Sequence, residues 1–332
     1  MKKICALMGA LLMLLALSAC GLKTENENAS APAATQVPAA EETAAPTRVT
    51  EPPLEEVPFE EVTVVDDENC TVKITGMVFN NERQEVDFDV FLENKSPDKT
   101  YLFDVQTASI NGLQVNMNIA EEMPPEGVKI YNMNDAELSA GVKTNLRLAV
   151  YKYGPNYTPK DIWNCTDIRL TFRVYADNDW RATVASGSAR IYPYGEENVT
   201  KYTRQPKNTD KILMDNDVLT VIATGYEDTR SEEYGGYCVN LFVTNKSDET
   251  ITLWSDRISV NGLELPFSDY KTVVGAGECS YDYVNLWNDE LANLEISDVE
   301  SVEVAFDVYP GGDAEWDESM EKLASETIVW NP

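Results

Sequence analysis

The residue types that usually carry catalysis are mostly missing from this chain. Its 332 residues include no histidine, which excludes Ser-His-Asp and Cys-His nucleophiles and every zinc site built on imidazole. The cysteines within the body of the sequence are Cys70, Cys165, Cys238 and Cys279, and none is spaced as CxxC. Carboxylates are plentiful: Asp66-Asp67-Glu68, Asp177-Asn178-Asp179, Asp215-Asn216-Asp217, and Asp313 with Glu315 and Asp317. Calcium needs six to eight oxygens, and none of these clusters has the full spacing of a calcium loop, so they read as turns, where Asp and Asn serve the backbone. A carboxylate pair for glycoside hydrolysis would need a deep cleft, which two small β domains rarely make. The remaining chemistry is stacking. Six Trp and sixteen Tyr can bind sugars or proteins through planar rings. Trp180 and Trp316 recur at matching places in two halves of the chain and read as structural, as do Tyr192 and Trp330. Trp163, Trp254 and Trp287 lack such counterparts and are the candidate ligand aromatics, although Trp254 is also placed to alternate into a core. No cofactor or metal is expected, and the chain reads as no enzyme.

One cysteine stands apart. Lys2 and Lys3 precede an apolar run from Ile4 to Leu17, too short for the roughly 20 residues of a membrane-crossing helix. The run ends in Leu17-Ser18-Ala19-Cys20. A short positive region, an apolar core and small residues before a cut mark an export signal over 1–19. With cysteine after the cut, the segment resembles the lipobox of bacterial lipoproteins. The resemblance implies a diacylglyceryl group on the Cys20 thiol, a membrane anchor, and an extracytoplasmic, cell-surface location. Two acyl chains make such anchoring stable where one is marginal.

Charge limits the partners. With 26 Lys and Arg against 57 Asp and Glu, the formal net charge is −31, so the chain repels nucleic acid phosphates and anionic lipid headgroups. Residues 20–60 are rich in Ala, Pro, Thr and Glu. Such a stretch cannot bury enough apolar surface to order itself, and its prolines extend it. It reads as a tether.

The elements that must position any site repeat in order. Phe91-Leu92-Glu93-Asn94-Lys95-Ser96 returns as Phe242-Val243-Thr244-Asn245-Lys246-Ser247, and Ser109-Ile110-Asn111-Gly112-Leu113 as Ser259-Val260-Asn261-Gly262-Leu263. Thr71–Gly76 matches Thr220–Gly225, and Phe172–Tyr175 matches Phe306–Tyr309. Val86, Phe88, Val90 and Leu92 alternate with polar residues, as do Thr144–Val150 and Ile168–Val174, the period of half-buried strands. The Asn-Gly pairs predict type I′ hairpin turns. Strands are expected near 70–79, 85–93, 101–110, 113–118, 142–151, 168–176 and 182–192, and a weak helical stripe over 316–324. Seven short strands per copy predict an all-β chain of two tandem immunoglobulin-like β-sandwiches, at 61–195 and 211–332. A linker of 196–210 would join them, and its Lys201, Arg204 and Lys207, with Lys211, read as solvated.

The lipobox, acidic tether and repeated Asn-Lys-Ser and Asn-Gly-Leu turns together resemble the immunoglobulin-like (telokinin-like) domains of bacterial surface lipoproteins. That family brings no catalytic set. In an exported protein, paired cysteines suggest Cys70–Cys165 and Cys238–Cys279 disulfides. If the second and fifth strands pair antiparallel, as in such sandwiches, Cys238 and Cys279 begin strands at opposite ends, and a bridge needs Cα atoms within about 7 Å. Bridged and reduced states both stay open at this point. The expected function is presentation of two modules to an envelope protein, with binding of a carbohydrate or wall glycan through exposed aromatics as the alternative.

Overall fold

The computed structural model describes residues 59–80, 85–120, 123–131, 134–151, 165–177, 179, 181–231, 235–266, 268–312 and 319–332. Residues 1–58, with Cys20, and Trp163, Trp180 and Trp316 lie outside the described residues. Glu51–Pro332 forms one compact unit, and it is all-β, built of several sheets.

In the first half, β1 (Val62–Asp66), β2 (Cys70–Asn80), β3 (Glu85–Asn94), β9 (Lys143–Tyr151) and β6 (Asn116–Ile119) form one sheet in that order. Facing it are β11 (Thr183–Ile191), β10 (Ile168–Ala176) and β4 (Tyr101–Ile110), with β8 (Asp135–Leu138) and β7 (Val128–Ile130) beyond β4. The alternation read from sequence places Val86, Phe88, Val90 and Leu92 of β3 in one core with Ile168, Leu170, Phe172 and Val174 of β10. Each such side chain contributes about 1.5–3 kcal/mol on leaving water. The strand expected at 113–118 is two: β5 (Leu113–Gln114) pairs with β4, and β6 pairs with β9, so the chain changes sheets at Val115.

The second half repeats these pairings. β12 (Lys211–Asp215), β13 (Leu219–Asp228), β14 (Gly236–Asn245) and β19 (Cys279–Trp287) pair as β1, β2, β3 and β9 do. β21 (Ala324–Trp330) and β20 (Val302–Pro310) match β11 and β10. The counterpart of β4 is broken into β15 (Ile251–Ser255) and β16 (Ile258–Val260), both on β20; β17 (Leu263–Glu264) matches β5 and β18 (Tyr270–Val274) matches β8. Even the irregularities agree: β2 and β13 carry a register shift at Ile74/Gly76 and Ala223/Gly225. A second core forms around Val221, Leu241, Leu253 and Phe306. A short helix, α1 (Asn288–Asn293), follows β19. It was not foreseen, whereas the stripe expected at 316–324 contains no helix among its described residues.

The repeated turns explain the repeated sequence. Asn94 Nδ2 donates to the carbonyls of Lys99, Leu138 and Ser139, and Asn245 Nδ2 to those of Glu249, Val274 and Gly275. Each asparagine therefore ties the end of one strand to two other segments. Lys95 and Lys246 reach back to Asp66 and Asp215, which the ammonium groups hold below the usual carboxylate range. Asn111 and Gly112 have φ of 56° and 79°, Asn261 and Gly262 φ of 53° and 79°, the left-handed pair that a type I′ turn requires.

Candidate interaction surface

One surface of each half is set by its outward-facing strand residues, and the halves differ there. In the second half, the outer face of β13, β14 and β19 presents Ile222, Phe242 and Tyr281, which pack against the first core. At their edge β5 joins β19 in parallel, Leu113 opposite Cys279. One ten-stranded sheet thus runs through both halves. The Cys279 N–H donates to the Gly112 carbonyl at 2.8 Å. Ser109 Oγ donates to Glu278 Oε1 at 2.7 Å, and Arg169 stands 3.7 Å from the same oxygen. Burial raises the Glu278 carboxyl above its ordinary range, against the opposing pull of Ser109 and Arg169.

The segment expected as a solvated linker seals this junction. Tyr202 N–H donates to the Asn111 carbonyl at 2.7 Å, and its hydroxyl meets that of Tyr281 at 2.9 Å. The Arg204 guanidinium sits 5.5 Å from the Phe242 ring centroid and makes a bidentate pair with Asp210 at 2.6 and 2.7 Å. Its side chain is only 7% exposed, so Arg204 leaves the solvated basic cluster, whereas Lys201, Lys207 and Lys211 stay exposed. Phe242 marks the missed signal. Cys238–Val243 is nearly apolar on both faces, where the corresponding Asp87–Leu92 alternates with acids.

The far end of the second half is built from the same elements but lies open. Leu263, just after the Asn261-Gly262 turn, is 47% exposed, whereas Leu113 at the equivalent place is fully buried. Beside this turn, β13 beyond Gly225 carries Tyr226, stacked on Tyr237 at 5.1 Å and edge-on to Trp330 at 5.5 Å. Tyr226 is 50% exposed, and Tyr237 is buried. The Tyr237 hydroxyl has no hydrogen-bond partner, and burial pushes its phenol up. Arg230 leans over the Tyr237 ring at 5.8 Å, pairs with Asp228 and donates to the Ser297 carbonyl at 2.7 Å. Asn261 Nδ2 donates to the neighbouring Asp298 carbonyl, which places turn and aromatic group at one end. Trp287, half exposed, closes β19 on this side.

The sequence-derived candidates do not converge. Trp254 points away from the second core, its ring 6.4 Å from Tyr309 in the sheet of β15 and β20, while Trp287 belongs to the other sheet. They share no platform, and Trp163 lies outside the described residues. Of the two states the sequence left open, the cysteines are in the reduced one: Cys70, Cys165, Cys238 and Cys279 are thiols, with only Cys238 partly accessible. Register gives the reason. Cys238 stands opposite Asn285 and Cys279 opposite Thr244, six residues apart along the strand or about 20 Å. Cys70 pairs with Asn94 at the end where Tyr101 meets Ala176, whereas Cys165 precedes Ile168 at the opposite end of β10. Desolvation pushes the Cys70, Cys165 and Cys279 thiols up to about 12, so they are poor nucleophiles.

Two of the acidic turns are occupied by backbone, while Asn178, Asp313, Glu315 and Asp317 lie outside the described residues. Asp67 Oδ1 accepts from Asn69 and Cys70 N–H, and Asn216 Oδ1 from Val218 and Leu219 N–H. Among the described residues, no cluster of acids and cysteines could hold a metal ion. An open depression over Thr75, Asp89 and Arg147 is polar, with Asp89 and Arg147 paired at 3.0 Å. No helix among the described residues is long and apolar enough to cross a membrane.

No protein-family model matches the sequence, and no curated protein matches it. Among solved structures, the chain is weakly similar to the Salmonella enterica SafA pilin in complex with the SafB chaperone (8% identity, 80% of this chain and 98% of that one, TM-score 0.20). It is similar at the same level to the YadV chaperone (10%, 78% and 100%, 0.19) and to the N-terminal region of an enterococcal surface protein (8%, 81% and 95%, 0.20). Likeness this slight carries no argument about ligand or partner.

Proposed function

We propose that this chain is a non-enzymatic, lipid-anchored protein on the outside of a bacterial membrane, held through Cys20, whose two immunoglobulin-like sandwiches bind another protein. The observation that carries the reading is the open end of the second half. Leu263, Tyr226 and Trp287 leave apolar surface in water there, at an end whose counterpart in the first half is covered. Exposed aromatic and aliphatic groups with a nearby Arg are the usual anchors of protein interfaces. A second reading, stacking of a wall glycan, draws on the Tyr226 ring lying flat on Tyr237.

The test uses the lipidated protein and its Tyr226→Ala and Leu263→Asp variants, presented to envelope proteins and to purified wall glycans. Protein binding predicts capture of a defined partner that both variants lose. Glycan retention abolished by Tyr226→Ala and untouched by Leu263→Asp would favour the second reading. Labelling with a radioactive fatty acid tests the anchor separately: Cys20→Ala loses the label, and label retained in that variant contradicts acylation at Cys20.

A further inference from the structure

The junction inside the molecule shows what the Asn-Gly-Leu end of one of these sandwiches can hold. In the first half β5 lies inside its sheet, between β4 and β19, and the Gly112 carbonyl accepts the Cys279 N–H. The covering strand therefore begins at Cys279, and the residue just before it, Glu278, meets the charges of the end. Ser109 Oγ donates to Glu278, Arg169 stands 3.7 Å from it, and Arg190 attracts it from the next strand.

In the second half β17 copies β5, paired to β16 as β5 is to β4. Asn261 and Gly262 repeat the left-handed backbone of Asn111 and Gly112. Yet among the described residues β17 ends its sheet, and Leu263 stands in solvent where Leu113 is buried.

Register identifies the counterparts of the charged groups. Arg169 lies opposite Ser109, and Glu303 opposite Ser259. Arg190 lies opposite Arg169, and Val329 opposite Glu303. Gln114 lies opposite Ser109, and Glu264 opposite Ser259. Two arginines and a glutamine thus become Glu303, Val329 and Glu264. Both glutamates are exposed, and Val329 is half exposed. Asp298 and Glu300, also exposed, are held beside the turn by Asn261, whose Nδ2 donates to the Asp298 carbonyl and whose Oδ1 accepts from the Glu300 N–H. The open end keeps the strand-docking geometry of the junction and reverses its charge. An acid at the place of Glu278 would be repelled there, and a lysine or arginine would be drawn in.

From this we infer that the open end takes an extended strand of a partner protein, added in parallel to β17, whose first hydrogen-bonded residue follows a lysine or arginine. The first N–H of that strand bonds the Gly262 carbonyl, its side chains cover Leu263, and the basic residue reaches Glu303. This inference rests on the protein-binding reading above and names the chemistry of the partner.

Two peptides test it against the lipidated protein in detergent. One copies Ala276–Leu286 with Glu278→Lys and Cys279→Ser; the other carries Cys279→Ser alone and keeps Glu278. In titrations followed by backbone amide resonances at physiological ionic strength, the lysine peptide shifts the signals of Gly262, Leu263 and Glu264. The glutamate peptide binds about tenfold more weakly. Glu303→Arg reverses the preference, and Leu263→Asp abolishes binding of both. Glu68→Lys, in the exposed turn between β1 and β2, changes neither, which separates the site from general attraction of a basic peptide to an acidic chain. Circular dichroism melts identify any variant that fails to fold. A lysine peptide that does not bind, or that binds Glu303→Arg as well as the wild type, overturns the inference. Should neither peptide bind while the protein still captures an envelope protein through Leu263 and Tyr226, the basic strand fails and the protein-binding reading stands. Absence of both removes both.

Discussion

The strands β3 and β9 of the first half and β14 and β19 of the second share register, turns and inward residues, yet face outward differently. Lys73, Asp89, Asn145 and Arg147 cover the first outer face; Ile222, Asn240, Tyr281 and Tyr283 hold the same places in the second. The inner positions specify a sandwich, and the outer ones decide whether it stands in water or leans on a neighbour. One inner position breaks the pattern. Leu146 is replaced by Asp282, which faces the second core and accepts a hydrogen bond from Tyr270 at 3.2 Å. Burial raises the Asp282 carboxyl, so the second sandwich carries an acid that resists ionisation where the first carries leucine.

Four measurements can break or sharpen this comparison. Phe242→Ala, which empties the junction, is expected to cost about 3 kcal/mol in chemical denaturation, as buried Phe truncations do. Phe91→Ala, the same strand position on the half-exposed face, costs under about 1 kcal/mol; equal losses would mean that the outer faces are not distinct. Asn94→Ala and Asn245→Ala are each expected to cost about 2 kcal/mol, because each strands several buried carbonyls. A large inequality between them would show that the turns are not energetically equivalent.

Asp282→Leu restores the residue of the first half and is expected to stabilise by about 1 kcal/mol at neutral pH, where the buried acid is otherwise asked to ionise; a loss of stability would show that the Tyr270 bond outweighs desolvation. The smallest effect is that of Glu278. Its folded pKa is raised, chiefly by burial, so its contribution is full below the unfolded pKa and is lost as pH rises through the folded one. Ser109, Arg169, Arg190 and Asp167 surround it. Glu278→Gln keeps an acceptor for Ser109 and cannot ionise, so its melting temperature falls less than that of the wild type between mildly acidic and neutral pH. Parallel curves would contradict the assignment.

Much of the strand placement was legible because strand alternation and turn chemistry are local. Val86 to Leu92 alternate openly, and Asn111-Gly112 admits few conformations. The junction was not legible for a physical reason. Burial by a neighbouring sandwich is a long-range event, and Phe242 and Tyr281 look the same in sequence whether they face water or a partner. Nor was the fate of Arg204 visible, since its burial depends on Phe242 and Asp210 meeting across the segment. The short strands β7 and β8 escaped because Asp135 and Glu137 are buried there against the usual preference of acids for the surface. The internal group of aromatic rings was not foreseen. Tyr226, Tyr237 and Trp330 come from three separate strands, and only the register of β13 with β14 and of β20 with β21 brings them together.

Amide hydrogen exchange at two equivalent positions tests the docking of the halves most directly. The Cys279 N–H is bonded to Gly112 across the junction and should exchange as slowly as strand interiors such as Val243, while the Lys143 N–H, at the same place on β9, exchanges fast. Similar rapid exchange at both would mean that the halves do not share a sheet.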